Sequence, residues 1–305
     1  MRLCCAAFAL LLVGCDSGIC DPLRTKCVSS IATWPRETSP ISSDLYGVWG
    51  VDSQNIWAVG NLGVILYWNG ASWVKQTSGT SLPLSGVWGT DVNNVWAVGA
   101  LGVILHWDGS SWSSVRSPTT DGLNAVWGTD SGNIWSVGGN STILRWDGNS
   151  WTSVPMAAKY NFNSIWGSST SNVWLVGSQG EILKWDGTAW VMQQSSVSNA
   201  LLGIWGSDAD HVWAVGDTGT LLNWNGTAWT ALANNKVKNV LRSVWGSDQN
   251  NIWAIGTFGT LLKWNGTTWL IQQSNSVFGL GGIWGSDINN VWVVGGQGTI
   301  LHGHH

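Results

Sequence analysis

The chain has 305 residues, of which 10% are charged, with a net charge of −4, 40 glycines and 27 tryptophans. An average soluble domain carries about 25% charged residues. The low charge and the absence of any Lys/Arg-rich stripe argue against a nucleic-acid partner.

The chain opens with Arg2 and an apolar run from Leu3 to Val13 that ends at Gly14. These are the charged, apolar and small-residue parts of a secretory leader, too short to span a membrane. Of the five cysteines, Cys4 and Cys5 fall within this leader. Cys20 and Cys27 form an even pair that would close a short loop as a disulfide in an oxidising compartment; the other reading is two free thiols in a loose linker. No CxxC or Cys/His zinc spacing occurs, so no metal or other cofactor is expected. The residues Leu12-Val13-Gly14-Cys15 resemble the lipobox of bacterial lipoproteins. That resemblance implies cleavage before Cys15 and acylation of the new N-terminal cysteine, which anchors stably once more than one acyl chain is attached. Residues 1–14 are thus read as a signal peptide and 15–31 as a lipidated tether.

From residue 32 onward one grammar repeats. Trp49, Trp88, Trp127, Trp166, Trp205, Trp245 and Trp284 lie 39, 39, 39, 39, 40 and 39 residues apart, each preceded by Val or Ile and followed by Gly. A constant period of this length marks a repeat array. Each unit contains four short runs rich in β-branched and aromatic residues, separated by turn chemistry and with no 3.6-residue apolar period. Asn69-Gly70, Asp108-Gly109, Asp147-Gly148, Asp186-Gly187, Asn225-Gly226 and Asn265-Gly266 stand between the third and fourth runs. Asn/Asp-Gly supplies the two positive φ angles of a type I′ hairpin, which predicts Trp107 opposite Ser110, with Trp107 and Trp112 on one side. Those outer indole pairs are expected to glue adjacent units rather than to form sugar platforms.

Four antiparallel strands every 39–40 residues describe a propeller blade. The predicted fold is all-β, a seven-bladed β-propeller over residues 32–305, with units starting near 45, 84, 123, 162, 201, 241 and 280. Trp34 settles how the ring shuts. It lies 15 residues before Trp49, the spacing that separates Trp73 from Trp88, so it belongs to a fourth strand. A strand at 32–37 should complete the last blade and remove a free sheet edge. Gly303 takes the position of the missing third-strand tryptophan. His302, His304 and His305 follow the spacing of closely placed metal-binding imidazoles, although a frayed polar terminus is the simpler reading.

Two sets of residues are candidates for chemistry. Asp52, Asp91, Asp130, Asp208, Asp248 and Asp287 recur in the turn between the first and second strands, mostly with Asn three residues later. Such oxygen ligands suit calcium, but one carboxylate per turn favours Asx turns. The second set lies on the opposite face, where turns and connections vary between units. There Leu62, Leu101, Tyr160, Gln179, Asp217, Lys236, Phe258 and Gln297 are the candidate ligand-binding residues, on loops carried by a rigid scaffold. No GxSxG, HExxH or P-loop occurs, and Glu37 and Glu181 hold no shared repeat position, so no enzyme is expected.

The units V-W-G-[ST]-D-x-N-[NH]-[VI]-W-x-[VI]-G … I-L-x-W-[DN]-G-x-x-W resemble Trp-rich propeller repeats of bacterial surface and secreted proteins in the BNR/YVTN/WD40-like superfamily. They are also similar to tectonin repeats. These resemblances imply a monomeric, non-catalytic binding or assembly platform for a protein partner, held by lipid in the cell envelope at the outer membrane, cell surface or periplasmic side. A glycan-binding lectin is the alternative implied by tectonins. A sialidase-like glycosidase comes last, because the repeated Asp-Gly-x-x-Trp lacks the intervening residue of the sialidase Asp-box.

Overall fold

The computed structural model describes residues 34–156, 160–232 and 237–304. The leader, Cys15, the Cys20 and Cys27 pair, Lys236 and His305 lie outside the described residues. Seven sheets form the ring; six are four-stranded meanders in sequence order and the last has three named strands. Blade 2 is representative, with strands Leu84–Asp91, Asn94–Gly99, Ile104–Trp107 and Trp112–Ser114. The first strands line a central channel and the fourth strands form the rim. Second strands such as Asn94–Gly99 are buried along nearly their whole length. They read as continuous apolar runs because neighbouring blades cover both of their faces.

The core is distributed over seven seams between blades. One cluster joins Leu45, Ala58, Leu66 and Trp73 of blade 1 to Trp292, Val294 and Ile300 of blade 7. Two tryptophan positions build these seams. In five of the seven seams the second-strand indole enters the outer pair of the next blade: Trp96 lies 4.8 Å from Trp146 and 5.5 Å from Trp151, the latter edge-on at 80°, and Trp135, Trp174 and Trp213 do the same. Trp292 repeats this against Trp68 and Trp73. Edge-on pairs of this kind add about 0.5–1.5 kcal/mol beyond area burial. Each first-strand indole instead lies on the glycine that follows the equivalent tryptophan one blade on. Trp88 packs over Gly128, where an added Cβ would sit 2.7 Å from the ring, and the ring of contacts ends with Trp284 over Gly50 at 2.8 Å. The recurrent Trp-Gly dipeptide is therefore a lock between neighbours.

Closure follows the expected scheme with a shorter ladder. Arg36 forms a single antiparallel bridge with Leu301, flanked by hydrogen bonds from Glu37 N–H to Ile300 C=O at 2.9 Å and from His302 N–H to Pro35 C=O at 3.0 Å. Trp34 is 1% exposed, and a Cβ on Gly303 would lie 2.7 Å from its ring. The glycine leaves room for that indole.

The outer hairpin differs from expectation. Trp107 pairs directly with Trp112, so the loop has four residues and the type I′ reading is wrong. Asp108 Oδ1 accepts the amides of Ser110 and Ser111, both at 2.8 Å, and only Gly109 has positive φ, at 95°. An Asx turn closed by one glycine satisfies the same dipeptide as a two-residue turn. The indoles still share one side, with centroids 5.8 Å apart.

Candidate functional site

The two faces of the disc differ in chemistry. On the uniform face, the repeated aspartates serve the backbone: Asp52 Oδ1 accepts from Gln54 N–H at 2.7 Å and Asn55 N–H at 2.9 Å, and Asp248 does the same with Asn250 and Asn251. These are Asx turns, not a calcium array. The following Asn has a second task in blades 2 and 7. Asn94 Oδ1 accepts the Trp96 indole N–H at 3.1 Å and lies 2.7 Å from His106 Nε2; Asn290 repeats this with Trp292 and His302. His302 stacks on Trp292 at 3.8 Å within the third strand of its blade, so it is part of that sheet rather than of a frayed end. Burial and then His304 press its imidazole down to about 4. Among the described residues no group of three or more His, Cys, Asp or Glu side chains could hold a metal ion.

The variable face carries the candidate loops. Between second and third strands the backbone makes a single tight turn, as in Asn61–Gly63, Ala100–Gly102, Asp217–Gly219, Thr257–Gly259 and Gly296–Gly298. The middle residue of each occupies left-handed backbone: Leu62 at φ 57°, Leu101 at 53°, Thr218 at 55°, Phe258 at 55° and Gln297 at 55°. Leu62, Leu101 and Phe258 are 64%, 65% and 77% exposed, and Val277 beside Phe278 reaches 79%. Gln179 is exposed at the equivalent tip of blade 4. Asp217 sits one residue before its tip and is half-buried, its carbonyl taken by Thr220 N–H at 3.0 Å. Tyr160 faces inward, 6.0 Å from Phe162, and supports the loop from below. The tips stand one per blade around the rim, so the structure does not gather them into one pocket.

The residues that do converge are the second residues of the first strands: Tyr46, Ser85, Asn124, Asn163, Leu202, Arg242 and Gly281. All line one channel cavity of about 220 Å³. This set was not among the candidates, yet its signal is in the repeat. The flanking first, fourth, fifth and sixth strand positions hardly vary, whereas this one runs through Tyr, Ser, Asn, Asn, Leu, Arg and Gly. Asn124 and Asn163 donate Nδ2 to Phe162 and Leu201 carbonyls of the next blade, both at 2.8 Å. In blade 7 this position is Gly281, between Arg242 of blade 6 and Tyr46 of blade 1 on the channel wall. A second cavity of about 150 Å³ opens there, bounded by Asp44, Gly279 and Gly296 as well. Burial and then the Asp44 carboxylate hold the Tyr46 phenol above its ordinary value, against the pull of Arg242; it is a protonated donor at neutral pH. Asp44 Oδ1 is engaged by Gln297 N–H at 2.8 Å. Arg242 is exposed and makes no hydrogen bond or ion pair among the described residues. A cation, a phenol, the Asp44 carboxylate and bare backbone thus meet at one mouth of the channel.

No protein-family model and no curated protein matches the chain. Solved structures do resemble it. YCF48 bound to D1 peptide superposes with a TM-score of 0.74 at 18% identity, covering 89% of this chain and 95% of that one. The WD40 β-propeller domain of Doa1 gives 0.75 at 11% identity, over 90% of this chain and 98% of its own. A catalytically inactive virginiamycin B lyase from Staphylococcus aureus with quinupristin gives 0.78 at 12% identity, over 90% and 99%. At such identities the likeness shows the fold alone, and the fold hosts a peptide-bound protein and a lyase alike. The chain is a seven-bladed β-propeller, and its function has to be read from its own mouth and rim.

Proposed function

We propose that the chain is a non-catalytic, lipid-anchored protein of the cell envelope whose variable face docks a protein partner. The observation that carries this reading is the set of tips on that face. Leu62, Leu101 and Phe258 place large apolar side chains in solvent from left-handed backbone. That conformation costs a non-glycine residue about 1–2 kcal/mol, and exposed strain of this kind collects at functional sites. Stability alone gives no reason for it, whereas an aromatic or aliphatic anchor at an interface does. The solved propeller of YCF48 with a D1 peptide supports a polypeptide as the kind of ligand. The likeness of the repeats to those of bacterial surface propellers, and of Leu12-Val13-Gly14-Cys15 to a lipobox, supports the envelope setting.

The test uses the full chain in its native envelope with a photo-crosslinking amino acid at Phe258 or, on the uniform face, at Thr227. A discrete protein adduct from position 258 and none from 227 is expected. Equal adducts from both faces, or none from 258, refute the docking face. The anchor is tested separately by labelling with a clickable fatty acid, expected to disappear in Cys15→Ser.

A further inference from the structure

The channel mouth says more about what a partner must present. Among the residues lining the channel cavity, Arg242 is the one charged side chain. It has no ion pair among the described residues, and the adjoining notch of about 150 Å³ is lined by Gly281 and Gly296 of blade 7. Close contacts hold the first of these glycines: a Cβ at Gly281 would sit 2.9 Å from the Leu45 carbonyl oxygen and 3.3 Å from Tyr46 Cα. Asp44, the nearby anion, already accepts the Gln297 amide through Oδ1. The site therefore offers a guanidinium without an ion pair and a phenol hydroxyl beside open backbone, with the Asp44 carboxylate also in its lining, in a recess that joins the channel to the exposed rim.

We infer that this notch is the specificity pocket of the docking face and receives a carboxylate from an acidic peptide segment of the partner. This rests on the docking reading above. Guanidinium and carboxylate match in geometry, forming short charge-assisted bonds. The phenol of Tyr46 adds a second donor to the same group. A partly enclosed recess strengthens both relative to bulk water. The exposed Phe258, Val277 and Phe278 lie on blade 6 and the connection that leads into Gly279 and Gly281, so an acidic group in the notch would be followed by apolar residues along that rim. The occupant has the pattern of a carboxylate beside aliphatic or aromatic side chains.

The experiment measures binding of fluorescent peptides to the purified propeller. One peptide carries Glu-Glu flanked by Leu and Phe, its counterpart Gln-Gln in the same frame, and an anionic hexuronate oligosaccharide serves as the third probe. The Glu peptide is expected to bind about tenfold or more tightly than the Gln peptide, with the difference shrinking as salt rises. Arg242→Gln should abolish the difference, Arg242→Lys should retain part of it, and Tyr46→Phe should reduce it. These positions are not in the seams, and unchanged melting temperatures would show that the variants fold. Equal binding of Glu and Gln peptides, binding of neither, or binding of the saccharide in place of the peptide overturns the inference. If the adduct from position 258 forms in the envelope while Arg242→Gln leaves it undiminished, the carboxylate pocket fails and the docking face stands.

Discussion

Removing Trp34 is the sharpest test of how the ring is held. The indole is 1% exposed and belongs to the cluster of Trp253, Leu280, Ile283 and Leu301, so it joins blades 6 and 7. Truncating a buried tryptophan to alanine costs about 3–5 kcal/mol. Gly303, which has no side chain, cannot fill the space left behind. For a domain of this size, about 2–4 °C of melting temperature per kcal/mol gives a drop of about 6–20 °C for Trp34→Ala. Trp112→Ala, at the same position of blade 2, removes a comparable indole from an uninterrupted chain and serves as the control. Calorimetry gives the two melting temperatures, and hydrogen exchange separates the mechanisms. Only Trp34→Ala should speed exchange of the Glu37 and His302 amides, which carry the two closing hydrogen bonds. A Trp34→Ala variant that melts within about 2 °C of the parent, or that leaves those amides as slow as before, refutes closure by this segment.

Other consequences are equally direct. Gly128→Ala would put a Cβ 2.7 Å from both the Trp88 ring and the Asn133 carbonyl oxygen; overpacking of this kind costs about 1–3 kcal/mol, which urea denaturation would detect. Leu101→Gly removes left-handed strain at φ 53° and should leave stability unchanged or raise it by up to about 1 kcal/mol, the reverse of the usual glycine penalty, while weakening partner capture. His302 has a folded value of about 4 against an ordinary 6.5. Its neutral form is favoured by folding, so its contribution is complete above pH 6.5 and is lost as pH falls from 6.5 toward 4. Melting temperature over that window should fall less steeply in His302→Asn. Asparagine is already accommodated at this register in blade 5, where Asn223 pairs with Trp213.

The repeat exposes the fold because indoles at fixed spacing are a strong signal, and because one indole, Trp34, stands out of order. The same signal conceals finer geometry. Asp-Gly fits a two-residue I′ turn as well as a four-residue Asx loop, and only the pairing of Trp107 with Trp112 separates them. Tyr160 lies on a variable loop, but its ring turns toward Phe162, a packing choice that loop position does not encode. Asp217 reads as a tip in the sequence, although Thr218 holds the left-handed position. The channel ring is hidden for another reason. Its members lie inside strands whose neighbours are uniform, where variation reads as tolerance until the strands are seen to converge on one cavity.

Hydrogen–deuterium exchange of the propeller, alone and with the partner trapped from position 258, tests the central claim most directly. Protection is predicted at residues 44–47, 240–243, 257–259 and 277–282, the mouth and rim of the variable face, with the Asp-Gly loops at 108–111, 147–150 and 186–189 unchanged. Protection concentrated in those loops, with the mouth exchanging as in the free protein, would contradict it.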